Sequence, residues 1–244
     1  MSLTQTIIVS RDLLGLLRTC VRTAAVAFAA CGRAVEFVVV DNASADPYTP
    51  AHFTADPVTI VRLDAHGGFA RCCNVAARRS TSEFILLLNN DVLLCAETVA
   101  GMMQSMTDRH VGICGAGLVF PDNTIQHAGV VFGPGETGPY HALRTKPIPP
   151  GLGSRTEFQA VTGACLLVRR QVFSSLNGLD ESYPFGLEDI DFCLRARQKG
   201  IRVACFNTEF SLHFESLTEG RASLDVPSRR LFMERWRGKY TIDG

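Results

Sequence analysis

Three stretches of the chain combine carboxylates with neighbours that acid–base or metal chemistry requires. Glu188-Asp189-Ile190-Asp191 puts three carboxylates within four residues. Carboxylates crowded together raise one another's pKa, which suits one of them to act as a general base. Asp91 closes the triplet Asn89-Asn90-Asp91 and offers a hard oxygen ligand for Mg²⁺ or Mn²⁺. His213, as a neutral imidazole, could add a nitrogen ligand to the same ion. Asp41, opening Asp41-Asn42-Ala43-Ser44, suits hydrogen bonding to a ribose hydroxyl or a base N–H. Each feature also has a plainer reading. Acidic residues in a first helical turn complement the helix dipole, Asp41-Asn42 can simply form a turn, and Asp91 can cap a helix near Ala96.

The elements that must position these residues are read from hydrophobic periodicity. Thr6 to Ser10 reads as a strand, and Leu13 to Ala24 repeats apolar residues at helical spacing. Glu36 to Val40, Thr59 to Leu63 and Phe84 to Leu88 are apolar runs typical of buried parallel strands. A helix runs from Gly67-Gly68 to about Arg79, and strands alternating with helices imply βαβ crossovers. In such sheets ligands bind beyond the carboxyl ends of the strands, where Ser10-Arg11-Asp12, Asp41-Asn42 and Asn89-Asn90-Asp91 fall. Gly67-Gly68-Phe69-Ala70-Arg71 could present backbone N–H groups to a pyrophosphate at a helix start. It is not GxGxxG and no Walker-type lysine follows, which counts against a dehydrogenase or a nucleotidyltransferase.

Further along, Gly112 to Phe120 and Ile125 to Phe132 are strand-like, joined by the turn Pro121-Asp122-Asn123. Residues 133 to 153, rich in glycine and proline, predict a long mobile loop. Ala164 to Arg169 reads as a strand, Val172 to Leu176 as a short helix, and Leu187 to Gly200 as a helix ending at its glycine. Tyr183-Pro184-Phe185-Gly186 is an aromatic loop suited to stacking on a sugar face. Ile201 to Phe206 and Phe210 to His213 close the sheet, and a last helix follows Pro227. Its Phe232, Trp236 and Tyr240 lie beside Arg229, Arg230, Arg235, Arg237 and Lys239. That face either packs on its own domain or rests on an anionic membrane surface.

Composition narrows the class. The 244 residues carry 46% hydrophobic and 20% charged side chains, enough apolar content to bury a sizeable core. The 24 basic residues balance 24 acidic ones, so no global field holds a phosphate polymer and nucleic acid is excluded as an expected partner. Nine cysteines, an odd number without a CxxC pair, fit the reducing cytoplasm. No window approaches the roughly 20 apolar residues of a membrane span, so any contact with a membrane is expected to be peripheral, at its inner face.

Taken together these segments resemble the inverting family-two glycosyltransferases of GT-A fold, in particular their rhamnosyltransferase-like branch. The resemblance rests on Val38 to Asp46, Gly67-Gly68-Phe69-Ala70 with Asn74, Leu86 to Val92 and Thr162-Gly163-Ala164-Cys165. It continues through Gly178-Leu179-Asp180-Glu181, Glu188 to Arg195 and His213-Phe214-Glu215-Ser216, spanning about residues 6 to 216. It implies an α/β fold with a Rossmann-like, mainly parallel central sheet flanked by helices and a smaller antiparallel acceptor-side portion. One domain over 1–244 is expected: a nucleotide-sugar half (1–110), an acceptor and catalytic half (111–220) and a helical tail (221–244).

By the same resemblance Asp189 is the base, with Glu188 and Asp191 in the same acidic group, and Asp91 with His213 holds Mg²⁺ or Mn²⁺. Ser10, Asp41, Asn42, Ser44, Gly68, Phe69, Asn74, Asn90 and Gly163 contact the nucleotide sugar. The implied partners are a nucleoside-diphosphate sugar, a glycan or lipid-linked acceptor, and a second copy of this chain in a homodimer. Three positions depart from the family pattern. Ser10-Arg11 replaces an aromatic–asparagine pair, His66 replaces asparagine, and Asn89-Asn90 replaces acids of the DxD motif. The rival reading is a homologue that binds a nucleotide sugar or a partner protein without turnover.

Overall fold

The computed structural model describes residues 3–153, 156–215 and 221–244, with side chains of 221–225 excepted; Ser216 of the last family segment lies outside the described residues. The first half alternates as the apolar runs require. Strand β1 (Leu3–Ser10), helix α1 (Leu14–Ala30), β2 (Ala34–Asn42), a short 3-10 turn (Pro50–Phe53) and β3 (Val58–Leu63) come first. Then follow α2 (Phe69–Ala77), β4 (Phe84–Asn89), β5 (Val92–Leu93) and α3 (Ala96–Ser105). The second half contains β6 (Val111–Val119), β7 (Ile125–His127), β8 (Val130–Gly133), β9 (Gly138–His141), β10 (Thr156–Phe158) and β11 (Cys165–Arg169). Helices α4 (Arg170–Ser175) and α5 (Glu188–Gln198), strand β12 (Arg202–His213) and helix α6 (Arg221–Trp236) complete it.

Ten strands form one sheet, with the path β10-β12-β6-β11-β4-β1-β2-β3 and with β5 and β7 attached at the side. Strands β3, β2, β1 and β4 are mutually parallel; β11 runs against β4 and β6, and β6 and β12 are again parallel. The sheet is therefore mainly parallel, with β11 inserted in reverse, and β8 and β9 form a separate antiparallel pair. Successive side chains of a strand face opposite ways. Val38 and Val40 accordingly join a core with residues of α2, α4, α5 and α6, whereas Val39 joins α1 and α3 on the other face. Burial on both faces explains why these strands read as unbroken apolar runs.

Four expectations need correction. Residues 133–153 are not a structureless loop: β9 pairs with β8, and Thr145 and Lys146 exchange backbone hydrogen bonds with Ile125. The predicted strand 125–132 is divided at Gly129, whose φ of +113° breaks the ladder between β7 and β8. The two closing strands are one, β12, with a register shift between Phe206 and Ser211. The last helix begins before Pro227 and carries that proline inside it.

Helix α6 also decides between the two placements of the tail. Phe232, Met233 and Trp236 are buried in the main core, and the Tyr240 ring packs tilted against Phe132 and stacked on Phe232. The arginines of this segment are committed as well: Arg235 pairs with Asp180, Arg230 with Glu234 and Arg237 with Glu136, while Arg229 donates to the Thr137 carbonyl. The aromatic face is thus core and offers no surface to a membrane. Among the described residues no helix is long and apolar enough to cross one.

Candidate active site

Strand register brings the predicted chemistry to one edge of the sheet. Ser10 lies opposite Asp41, and Val9 opposite Asn89, so β1, β2 and β4 end level with one another. Because β11 runs against β4, its first residue Cys165 lies opposite Leu88, and Thr162-Gly163-Ala164 arrive at the same edge. The Asn89 N–H donates to the Ala164 carbonyl at 2.8 Å, which fixes that arrival. Strand β12 ends there too, with His213 opposite Val92. Asp12, Ala43 and Glu215, which follow these ends, and Leu187, which precedes α5, all hold positive φ without being glycine. Such strain gathers where a fold fixes polar groups against local preference.

Asp91 and His213 meet at this edge. The His213 Nε2 lies 3.0 Å from Asp91 Oδ1, and both residues are buried, at 4% and 6% exposure. The Asn89 amide is 3.4 Å from the same Nε2. One carboxylate and one imidazole side by side match a divalent ion of the Mn²⁺ or Mg²⁺ type, and the nitrogen favours the former. Among the described residues no group of three or more His, Cys, Asp and Glu is placed to hold a metal ion. Two protein ligands are few, so the remaining positions would belong to water or to a phosphate-bearing ligand.

Helix α5 delivers the acids. Gly186 and Leu187 both adopt left-handed φ, +71° and +70°, and turn the chain sharply into Glu188. Asp189 Oδ2 accepts the Gly163 N–H at 2.6 Å, and its Oδ1 accepts from Ile190 N–H at 2.8 Å. A Cβ at position 163 would stand 3.1 Å from the Asp189 Cβ and 3.5 Å from the Phe69 ring, so glycine is what allows this approach. Gly163 connects through Ala164 to Asn89, and so to the Asp91–His213 pair. Glu188 is buried, and that burial, reinforced by the Asp189 charge, pushes its carboxyl up to about 8. Two adjacent carboxyl groups thus have distinct characters, one held protonated at neutral pH and one half-buried with backbone donors.

Other predicted residues are engaged in structure at or near this edge. Asp41 accepts from Ser44 N–H at 2.9 Å, Tyr48 N–H at 3.0 Å and Arg62 at 2.5 Å. Burial opposes its charge, but the bonds from Ser44, Tyr48 and Arg62 prevail and hold its carboxyl below the usual range. Asn42 pairs with both backbone groups of Gly67, which sets the Gly67-Gly68 turn before α2, and Ser44 Oγ accepts from Asp12 N–H. Ser10 is bonded to Tyr48 and Asn90, while Gly68 and Phe69 stay half-buried at the start of α2.

Two placements differ from expectation. Asn74 is engaged in the 178–181 turn: its amide clamps Leu179 through both backbone groups and donates to Glu181. Asp191 is 1% exposed and does not join Glu188 and Asp189. Its carboxylate takes bonds from Tyr183, Arg195 and Trp236 and serves as a buried tie between α5 and α6. Tyr183 of the aromatic loop is consequently core, leaving Phe185 half-buried.

Sequence reasoning missed a polar cluster behind His213. Gln126 lies 2.6 Å from His213 Nδ1, and His127 Nδ1 lies 2.7 Å from His141 Nδ1. Burial, with His141 and His213 nearby, holds His127 far below the normal imidazole range and therefore neutral. The Thr162 N–H donates to His127 Nε2, so its Nδ1 carries the proton and donates to His141. The adjacent pair Gln126-His127 inside an apolar segment was the available signal.

Residues 7–175 match the model of the family described as Glycosyl transferase family 2. The chain is 36% identical over 192 residues to the O-antigen biosynthesis protein RfbC of Myxococcus xanthus, covering 74% of this chain and 15% of that protein. It is 32% identical to the uncharacterized protein y4gI of Sinorhizobium fredii, covering 94% of this chain and 26% of that one. The chain therefore spans a small part of the length of these relatives. Its fold is that of the mannosyltransferase PcManGT from Pyrobaculum calidifontis, solved with GDP-Man and Mn²⁺. The TM-score is 0.65 at 16% identity, over 93% of this chain and 60% of that one, and the shared architecture is the GT-A fold. On the family match, which spans more than half of its residues, this chain belongs to glycosyl transferase family 2.

Proposed function

We propose that the chain transfers a glycosyl group from a nucleoside-diphosphate sugar to an acceptor hydroxyl on a glycan or lipid-linked saccharide. The observation that carries this reading is the run of contacts from Asp189 through Gly163, Ala164 and Asn89 to Asp91 and His213. It joins an acid with backbone donors to a carboxylate–imidazole pair across one strand edge.

Asp91 and His213 would hold Mn²⁺ or Mg²⁺ together with the donor diphosphate. A divalent ion there supplies Lewis-acid stabilisation of the charge that develops on the departing diphosphate. Asp189 takes the proton of the acceptor hydroxyl as that oxygen attacks the anomeric carbon from the face opposite the diphosphate, which inverts the configuration. Glu188, retaining its proton, leaves Asp189 as the ionised member of the pair. Asp41 acts on the nucleotide by fixing loop 41–48 and Arg62 rather than by offering a vacant oxygen. Asn90, Ser44, Gly68 and Phe69 complete the donor side, and Gly163 aims the base.

A thermal-shift panel of UDP, GDP, dTDP and their sugars, with and without Mn²⁺, tests this assignment. The expected result is stabilisation by one nucleotide family that depends on the metal. The absence of any shift with the whole panel would favour a homologue that does not use nucleotide sugars.

A further inference from the structure

His213 has two ring nitrogens, and the fold has built a partner for each. Nε2 faces Asp91 at 3.0 Å; on the other side of the ring, Nδ1 faces the Gln126 amide at 2.6 Å. Gln126 is 2% exposed, in a segment whose register is fixed from both flanks. Ile125 pairs with Val119 of β6 and exchanges backbone bonds with Thr145 and Lys146, and Val119 lies opposite Leu212, next to His213. An amide buried this deeply is costly unless it is bonded.

In a neutral imidazole one nitrogen bears the proton and the other is an acceptor, so the partner of one nitrogen decides the state of the other. With the amide nitrogen of Gln126 toward Nδ1, that nitrogen accepts, and the proton sits on Nε2, directed at Asp91. A metal ligand needs the reverse: a proton on Nδ1 and a lone pair on Nε2. Rotating the end of the glutamine by half a turn presents Oε1 to Nδ1–H and supplies that form. Among uncharged side chains, an amide can serve both forms from one position.

We propose that Gln126 is a positioning residue that selects the metal-binding tautomer of His213, its amide turning when the ion is taken up. This inference rests on the reading of Asp91 and His213 as a metal pair. Partners that orient a metal-bound histidine typically change affinity by about 10–100-fold when removed.

The test titrates Mn²⁺, followed by electron paramagnetic resonance, in the presence of whichever of UDP, GDP or dTDP shifts the melting temperature most. Wild type, Gln126→Leu, Gln126→Glu and Asp91→Ala are compared, with melting curves without metal to confirm folding. Gln126→Leu should weaken Mn²⁺ binding about 10–100-fold. Gln126→Glu, whose ionised carboxylate accepts from Nδ1–H and cannot donate, should bind Mn²⁺ at least as tightly as wild type. In ¹⁵N-labelled protein, the His213 ring signals should move to the Nδ1–H form on adding Mg²⁺ with the same nucleotide. Wild-type affinity in Gln126→Leu, equal weakening in the Leu and Glu variants, or an unchanged tautomer overturns the inference and leaves the metal pair standing. Failure of wild type to bind Mn²⁺, or undiminished binding by Asp91→Ala, overturns the underlying reading instead.

Discussion

The backbone N–H of Gly163 donates to Oδ2 of Asp189 across 2.6 Å, tying the start of helix α5 to the entry of strand β11. An asparagine at 189 can still accept that bond through its carbonyl oxygen, but it cannot take a proton from an acceptor. Asp189→Asn should therefore reduce kcat by about 10²–10⁴, the range for a lost general base, with donor affinity kept. Steady-state kinetics together with donor titration check this. A parallel loss of affinity and rate would make Asp189 a binding residue.

Glu188 gives the opposite expectation. Held protonated near neutrality, its carboxyl resembles an amide, so Glu188→Gln should retain most of the transfer activity that Asp189→Asn loses. Its pH effect on stability follows from the shift from 4.5 to about 8. Between those values the folded protein keeps a proton that the unfolded chain has released. The contribution is complete below pH 4.5, declines as pH rises through this window and is spent above 8. Urea unfolding from pH 5 to 9 should show this decline in wild type and a flatter profile in Glu188→Gln.

Asn74 should prove structural. Its three hydrogen bonds hold the 178–181 turn, where Gly178 has φ of +76° and an added Cβ would collide with the Asn74 amide. Asn74→Ala leaves buried backbone groups of Leu179 unpaired, at a cost of about 1–3 kcal/mol. Denaturant unfolding should register that loss while the nucleoside-diphosphate Kd, measured on the folded variant, stays at the wild-type value. A weaker Kd at unchanged stability would return Asn74 to the nucleotide site.

Asp191 is the tie between the acidic helix and the tail. Removing one member of a buried ion pair costs about 3–5 kcal/mol, and Arg195 keeps its bonds to the Leu176 and Gly178 carbonyls, which places Asp191→Ala at the low end, about 3 kcal/mol. Trp236 is the chain's single tryptophan and donates to Asp191 at 2.9 Å, so its fluorescence should change in the folded variant. An unaltered emission spectrum and unaltered stability would contradict the tie.

The sequence was legible where one physical signal dominated. Apolar runs such as Val38 to Val40, buried on both faces, identified the parallel strands, and the polar residues closing them identified the edge at which Asp91 and His213 meet. Short strands were not legible: β9 and β10 have four and three residues and lie in or beside glycine- and proline-rich chain, where pairing with a neighbour decides the structure. Roles set by distant partners were hidden too. Asp41 is saturated because Arg62 stands opposite it on β3, Asp191 because Trp236 lies 45 residues on, and Gln126 meets His213 across 87 residues. No local pattern encodes such meetings.

The central claim is that Asp91 and His213 bind a donor diphosphate through a divalent ion. Calorimetric titration of the matching nucleoside diphosphate into wild type and Asp91→Ala, each with and without Mn²⁺, addresses it most directly. Since loss of an outer partner already costs about 10–100-fold, loss of Asp91 should weaken metal-dependent binding by roughly 100-fold or more. Wild type without Mn²⁺ should bind as poorly. Equal affinity in all four titrations would contradict the account.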